Sequence, residues 1–111
     1  MNLFQKIFRR EPDLCPDELV KPYCKRAKQA VLRGDLGKAI GYLHRAIEIA
    51  PHQLELYLQR AQILQYGLDE YSRALHDYRF ILRELASDPD HELVAKCKQA
   101  MKDMMAQPPS Q

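Results

Sequence analysis

Histidine beside a carboxylate is the first place to look for chemistry in this chain. His76 directly precedes Asp77, and these are the residue types of a general base and its orienting partner. Both residues fall in a stretch whose apolar spacing predicts a helix, where consecutive side chains point about 100° apart. We therefore expect no direct base-and-carboxylate pair here.

The other candidates for catalysis or metal binding are also scattered. His44 and His76 lie on different predicted helices, and His52 and His91 lie near predicted helix starts. The chain has no His-x-x-x-His or Cys-x-x-Cys pair that would suggest a zinc site. Its four glycines lie in or beside predicted helix turns rather than in a phosphate-binding loop. We therefore expect a protein that is not an enzyme, with no metal ion and no cofactor.

The cysteines and the charge favour a cytoplasmic protein that does not bind nucleic acid. Cys15, Cys24 and Cys97 are far apart and odd in number, which favours free thiols in a reducing compartment. The net charge is only +2 with 29% charged residues, so a general nucleic-acid surface is not expected. The apolar runs are too short to span a bilayer, and residues 1–10 lack the features of a secretory signal.

A repeat organises the elements that carry these residues. The pattern Tyr-x-x-Arg-Ala occurs at 23–27 and again at 57–61, 34 residues later. A second apolar pattern follows each copy, and its matching alanines, Ala39 and Ala74, are 35 residues apart. One extra residue is therefore expected in the turn within the second unit. A period of this size is typical of helical units that must stack on a neighbour to bury their apolar faces.

Five helices are predicted from the apolar spacing and the breaker residues, at about 21–33, 37–50, 53–66, 69–86 and 90–105. Pro22 fits the first turn of the first helix, and Gly34 is expected to end that helix in a left-handed conformation. Gly67 is expected to end the third helix, and Asp69 to cap the fourth. The fold class is all-α.

These units resemble tetratricopeptide repeats. The first copy supplies the family's residues at Tyr23, Ala27, Ala39, Leu43, Ala46 and Pro51, and the second at Tyr57, Ala61, Ala74 and Tyr78. The second copy departs from the family in its longer turn, in Ile81 at a small-residue position, and in a proline displaced to Pro89.

The resemblance, which covers 20–89, implies a domain of antiparallel helical hairpins stacked as a short right-handed solenoid. In this interpretation 1–16 is an amphipathic segment and linker, and 17–105 is the domain. Repeat one is 20–52, repeat two is 54–88, a capping helix is 90–105, and 106–111 is a disordered tail.

The resemblance also implies a function, which is to bind a peptide or helix of a partner protein in a concave groove. The implied groove residues are Lys21, Cys24, Lys28, Val31, Glu55, Leu58, Gln62 and Gln65. Leu58 falls outside the predicted core stripe, so it is either a contact in the groove or an isolated exposed leucine of the ordinary kind. The repeated Arg26 and Arg60 are expected to support the scaffold, either by packing their stems or by bonding an acidic neighbour.

Two alternatives remain open at this level. Leu3, Phe4, Ile7 and Phe8 form an apolar face beside basic residues, which could anchor a peripheral adaptor on a membrane or pack on the first hairpin. A homodimeric scaffold could instead pair through the methionine-rich last helix or through open hairpin faces. Methionine moulds to varied partners, but the spacing of Met101, Met104 and Met105 favours core packing.

Overall fold

The computed structural model describes residues 3–8 and 17–106, and within these ranges the regular structure is entirely helical, which confirms the all-α prediction. In chain order the elements are α1 (Leu3–Phe8), α2 (Lys21–Arg33), α3 (Leu36–Ile49), α4 (Leu54–Gln62), a π-helical turn (Ile63–Gly67), α5 (Tyr71–Glu84) and α6 (Glu92–Ala106). Residues 9–16 of the predicted segment and linker (1–16) and residues 107–111 of the predicted tail (106–111) lie outside the described residues, and the tail prediction is wrong for Ala106, which is the last residue of α6.

Helix α2 begins and ends where the sequence predicts. Pro22 lies in its first turn, where a missing N–H breaks no helical hydrogen bond. Gly34 follows with φ 80°, and its N–H donates to the carbonyls of Ala30 and Val31. The left-handed end expected at Gly34 is thereby confirmed, and it turns the chain directly into α3.

The connection between the two helices of the second unit is one residue longer than in the first, 68–70 against 34–35. Beyond α4 the backbone continues as a π-helical turn, in which the N–H of Leu68 donates to the carbonyl of Ile63 at 3.2 Å. The expected lengthening of the interhelical turn by one residue is confirmed by these bounds, whereas the π-helical turn before it was not predicted.

The cap predicted for the next helix also differs. Asp69 has φ 54°, a left-handed conformation that Asp tolerates better than most residues. Glu70 occupies the N-cap position of α5, without a side-chain capping bond. The assignment of Asp69 as the cap is therefore one residue too early, because Asp69 is used to reverse the chain after the π-helical turn.

Two buried clusters form the core. We call α2 with α3 hairpin one, and α4, the π-helical turn and α5 hairpin two. The first cluster joins Ile7 of α1 to hairpin one and to Leu56 and Ile63 of hairpin two. The second joins hairpin two to Leu93 and other residues of α6. Each hairpin therefore buries apolar surface against its neighbour and against one terminal helix.

Candidate interaction surface

Four of the eight groove residues predicted from the sequence lie in the interior. Leu58 is 1% exposed and belongs to the same buried cluster as Leu93 and Cys97 of α6. The expectation that Leu58 lies outside the core is therefore wrong, because α6 packs across α4 as well as α5. Cys24, Val31 and Gln65 are buried as well, while the other four keep partial exposure: Lys21, Lys28, Glu55 and Gln62.

Gln65 is held by hydrogen bonds that join three helical elements. The Tyr78 hydroxyl donates to Gln65 Oε1 at 2.6 Å, and Gln65 Nε2 donates to the carbonyl of Ala100 at 2.9 Å. Burial raises the pKa of Tyr78 above its ordinary value, so its hydroxyl keeps the proton that it donates. Gln65 therefore ties the π-helical turn to α5 and α6 and is not available to a partner.

The N-terminal helix turns part of its apolar face inward. Ile7 is 3% exposed and lies in the cluster that also contains Cys24 and Val31. Leu3 packs against the same cluster. Ile7 and Leu3, two of the four residues suggested for membrane contact, therefore pack in or against the core. The side chains of Phe4 and Phe8, the other two, lie outside the described residues.

The cysteines differ from one another. Cys24 is disulfide-bonded, so the expectation of a free thiol is wrong for Cys24. Cys97 is a free thiol in the core, as expected. Burial raises the pKa of Cys97 to about 11. The Cys97 thiol is consequently a poor nucleophile at neutral pH, because the thiolate is the reactive form.

The repeated arginines also differ. Arg60 forms a bidentate ion pair with Asp77, with Nη2–Oδ1 at 2.7 Å and Nε–Oδ2 at 2.9 Å. The structural role expected for Arg60 is thereby confirmed. Asp77 is buried while His76 is exposed, so this carboxylate serves Arg60. Arg26, the counterpart in the first unit, is exposed and makes no ion pair with any described residue.

An open cleft of about 370 Å³ lies between α5 and α6. We call it the α5–α6 cleft; its lining is mostly apolar and consists of Tyr71, Ser72, Leu75, Arg79, Met101, Met104 and Met105. Met104 is 9% exposed, whereas Met105 is 85% exposed. Core packing is therefore confirmed for Met104 and wrong for Met105, which lies about 100° around α6 from Met104, at the edge of the buried face of that helix.

Most residues that line this cleft were not among the binding residues predicted from the sequence. Tyr71, Leu75 and Arg79 follow one another at intervals of one helical turn, so they share a face of α5. The first two belong to the repeated apolar pattern and are half-buried against the second cluster. The signal that was present is Arg79, a cation that continues an otherwise apolar stripe.

The exposed charge around the cleft is mainly positive. On α5 and α6 the exposed charged residues are five cations and two carboxylates: Arg73, Arg79, Arg83, Lys98 and Lys102 against Glu84 and Glu92. At about 100° per residue, Glu84 lies on the side of α5 opposite the cleft, and Glu92 on the opposite side of α6. The side chains that line the cleft therefore combine an apolar surface with one cation.

The described ranges show neither a metal cluster nor a membrane-spanning helix. No three His, Cys, Asp or Glu side chains in 3–8 and 17–106 are grouped so that they could hold a metal ion. Over the same ranges, every helix is too short or too polar to cross a bilayer. Comparison of the chain with protein-family models, with curated proteins and with solved structures gives no match.

Proposed function

We propose that this chain is a non-catalytic interaction module that holds a peptide or helix of a partner protein in the α5–α6 cleft. The observation that carries the proposal is the apolar cleft itself, which leaves Met105 85% exposed beside Tyr71 and Leu75. A groove between two helices is a common seat for an amphipathic helix. Methionines suit such a groove because their flexible thioethers adapt to the shape of the bound side chains.

The same proposal takes the scaffold to be a short tetratricopeptide-like solenoid. Its support is the repeated Tyr-x-x-Arg-Ala pattern together with two consecutive helical hairpins that share buried clusters. In this scheme α6 serves as the capping helix of the domain at 17–105. The binding surface then lies between the last hairpin and its cap, because the implied concave groove has Cys24, Val31 and Leu58 in the interior.

The proposal favours a partner protein over the two alternatives. A membrane anchor would need the apolar face of α1, but Ile7 of that face is buried in the core. A homodimer would need two basic clefts to face one another, since α5 and α6 expose more cations than carboxylates. A partner with an apolar face and a carboxylate meets neither obstacle.

The test is a display library of amphipathic helical peptides selected on the full chain. Peptides that bind wild type are expected to lose binding to Met105→Asp, because a carboxylate would replace an exposed apolar contact. Leu32→Asp is the matched control, since Leu32 is 63% exposed on α2 of hairpin one. It introduces the same charge away from the cleft and should leave binding unchanged.

Methyl NMR of methionine-labelled protein locates the site directly. Bound peptides are expected to shift the methyl signals of Met101, Met104 and Met105. Peptides that bind Met105→Asp as well as wild type, and that leave these three signals unchanged, would place the site outside the α5–α6 cleft. Absence of any selected binder would overturn the function itself.

A further inference from the structure

The α5–α6 cleft contains a cation whose charge the described residues leave unbalanced. Arg79 lines the cleft and forms no ion pair or hydrogen bond with any described residue. Three arginines of the described residues are in ion pairs, Arg60 with Asp77, Arg73 with Glu70, and Arg45 with Glu48, and Arg79 differs from the remaining exposed arginines in that it lines the cleft. Arg79 is thus a guanidinium at the edge of an apolar surface, with its hydrogen-bond donors directed to solvent or to a ligand.

The carboxylates of the neighbouring helices cannot take this role. Asp77 and Glu84 project from the opposite side of α5, at about 100° per residue from the lining residues. Asp103 of α6 is already used, since it accepts hydrogen bonds from Tyr66 at 2.7 Å and from Gln99 at 3.0 Å. The cleft therefore presents positive charge without an internal counter-ion.

A second cation extends the positive end of the cleft. Lys98 is exposed and lies about one helical turn before Met101 on α6. Because α5 and α6 pack as consecutive elements joined by a short turn, the later part of α5 lies beside the earlier part of α6. Arg79 and Lys98 consequently occupy the same end, and the methionines occupy the other. The cleft has an apolar end and a basic end.

We infer that the α5–α6 cleft selects an acidic amphipathic helix, an inference that rests on the proposed function. The apolar side chains of this helix contact the methionines, and a carboxylate about one helical turn away pairs with Arg79. A guanidinium binds a carboxylate through two parallel hydrogen bonds, which fixes orientation as well as charge. An apolar surface beside the pair reduces its screening by water. A basic helix would meet repulsion at the same place, so Arg79 discriminates between partners.

The experiment uses three synthetic helical peptides of about 16 residues, a length at which a helix is marginal alone and is completed on binding. All three carry the same leucine anchors at helical spacing, and one position a turn away is Glu, Gln or Lys. Binding to the full chain is measured by fluorescence anisotropy. The Glu peptide is expected to bind about three- to tenfold more tightly than the Gln peptide, and the Lys peptide more weakly still.

Variants of the arginines assign the effect. Arg79→Gln is expected to bring the Glu and Gln peptides to within about twofold of each other. Arg26→Gln, which removes the same charge from an exposed site on α2, should preserve the preference. Raising the salt concentration should reduce the preference in wild type, because the pair lies at the surface.

The outcomes separate the two proposals. Equal binding of the three peptides, or a Glu preference that survives in Arg79→Gln, would overturn the acidic partner and leave the cleft as a binding site. Failure of all three to bind would overturn both. Binding of phosphatidylserine vesicles that depends on Arg79, with no binding of the Glu peptide, would replace the peptide by an anionic membrane.

Discussion

Hairpins one and two carry the same Tyr-x-x-Arg-Ala pattern, yet their interiors are held together by different interactions. The residues buried in α2 and α3 are all apolar. In the described part of the chain, the buried polar residues all belong to hairpin two: Gln59, Gln65 and Asp77. The shared pattern therefore specifies the shape of a hairpin and leaves the chemistry of its interior free to differ.

Comparison of equivalent positions shows where the chemistry changes. Val31 and Leu43 of hairpin one correspond to Gln65 and Tyr78 of hairpin two, at the repeat offsets of 34 and 35 residues. An apolar contact in the first unit has thus become a hydrogen-bonded pair in the second, and that pair also reaches the backbone of α6. The change falls where the second unit meets a terminal helix instead of another repeat.

The tyrosine of the Tyr-x-x-Arg-Ala pattern also makes different contacts in the two hairpins. Tyr23 of hairpin one hydrogen-bonds Arg45, which raises the pKa of that guanidinium. Its equivalent, Tyr57, packs against Phe80 with ring centroids 4.6 Å apart and donates its hydroxyl proton to the carbonyl of Pro51 at 2.9 Å. The repeated tyrosine therefore makes a polar contact with an arginine in hairpin one and an aromatic contact with a phenylalanine in hairpin two.

The largest expected effect tests the buried ion pair of hairpin two. Asp77→Ala should destabilise the protein by about 3 kcal/mol, because it leaves the largely buried guanidinium of Arg60 without its carboxylate. Arg60 is 18% exposed, so part of the charge can still reach water. The free energy of unfolding from urea denaturation is the measurement.

Two further variants complete this comparison. Arg26→Ala, at the equivalent position of hairpin one, should change stability by no more than about 0.5 kcal/mol. The double variant Arg60→Met with Asp77→Ala should recover part of the loss, because it removes both charges. A loss of less than about 1 kcal/mol in Asp77→Ala would show that the pair is not important for hairpin two.

High pH should destabilise hairpin two and α6 more than hairpin one, and the effect should be smaller than that of Asp77→Ala. Burial raises the pKa of Cys97 from 9.0 to about 11, and burial also raises the pKa of Tyr66 and of Tyr78. The unfolded chain loses these protons first as the pH rises. The stability that the Cys97 thiol contributes is therefore complete below pH 9 and is lost as the pH rises through 11. For Cys97 the loss is about 2 kcal/mol.

Urea denaturation between pH 8 and pH 11 measures this decline, and subtilisin cleavage mapped by mass spectrometry shows where the chain opens. We expect the first alkaline cleavage sites in hairpin two and α6. Cys97→Ala should flatten the decline between pH 9 and pH 11, since alanine does not titrate. Cleavage that begins in hairpin one would contradict this prediction, because Cys97, Tyr66 and Tyr78 all lie in α6 or hairpin two.

The smallest effects concern one glycine in each hairpin. A Cβ at Gly67, in the π-helical turn, would lie 2.7 Å from Leu36 Cδ1 and 2.8 Å from Leu3 Cδ2. Gly67→Ala should cost about 1 kcal/mol, because these two leucine ends must move. A Cβ at Gly41, inside α3, would meet nothing within 4 Å. Gly41→Ala should stabilise the protein by about 0.5–1 kcal/mol through helix propensity.

Thermal unfolding of the two alanine variants gives the comparison directly, with melting temperatures expected to move in opposite directions. A melting temperature raised by both substitutions would mean that α1 does not hold Leu3 tightly against the π-helical turn.

Local signals in the sequence predicted much of the fold. The bounds of α2 and the left-handed Gly34 follow from a proline, a glycine and an apolar period, all of which act over a few residues. The single-residue insertion was also visible, as the change of offset between Ala39 and Ala74. The longer connection at 68–70 follows from that change of offset, whereas the π-helical turn before it does not, because residue spacing alone does not distinguish a π-helical turn from an α-helical one.

The candidate site was much less predictable. Periodicity along α4 shows which residues share a face, but it does not show how many of its faces are covered. Leu58 is buried because α6 packs on α4, and Met105 is exposed because it lies at the edge of the face that α6 turns toward hairpin two. Contacts between residues more than 30 positions apart in the chain decide both results.

The sequence by itself determined that this chain forms helical hairpins with a repeated apolar pattern, because helix propensity, capping and periodicity are properties of neighbouring residues. Only the tertiary structure decided which surfaces are free. It placed α1 and α6 over residues of the implied groove and left an apolar cleft with Arg79 between α5 and α6. The physical reason is that burial depends on which helix covers which face, and periodicity along one helix does not carry that information.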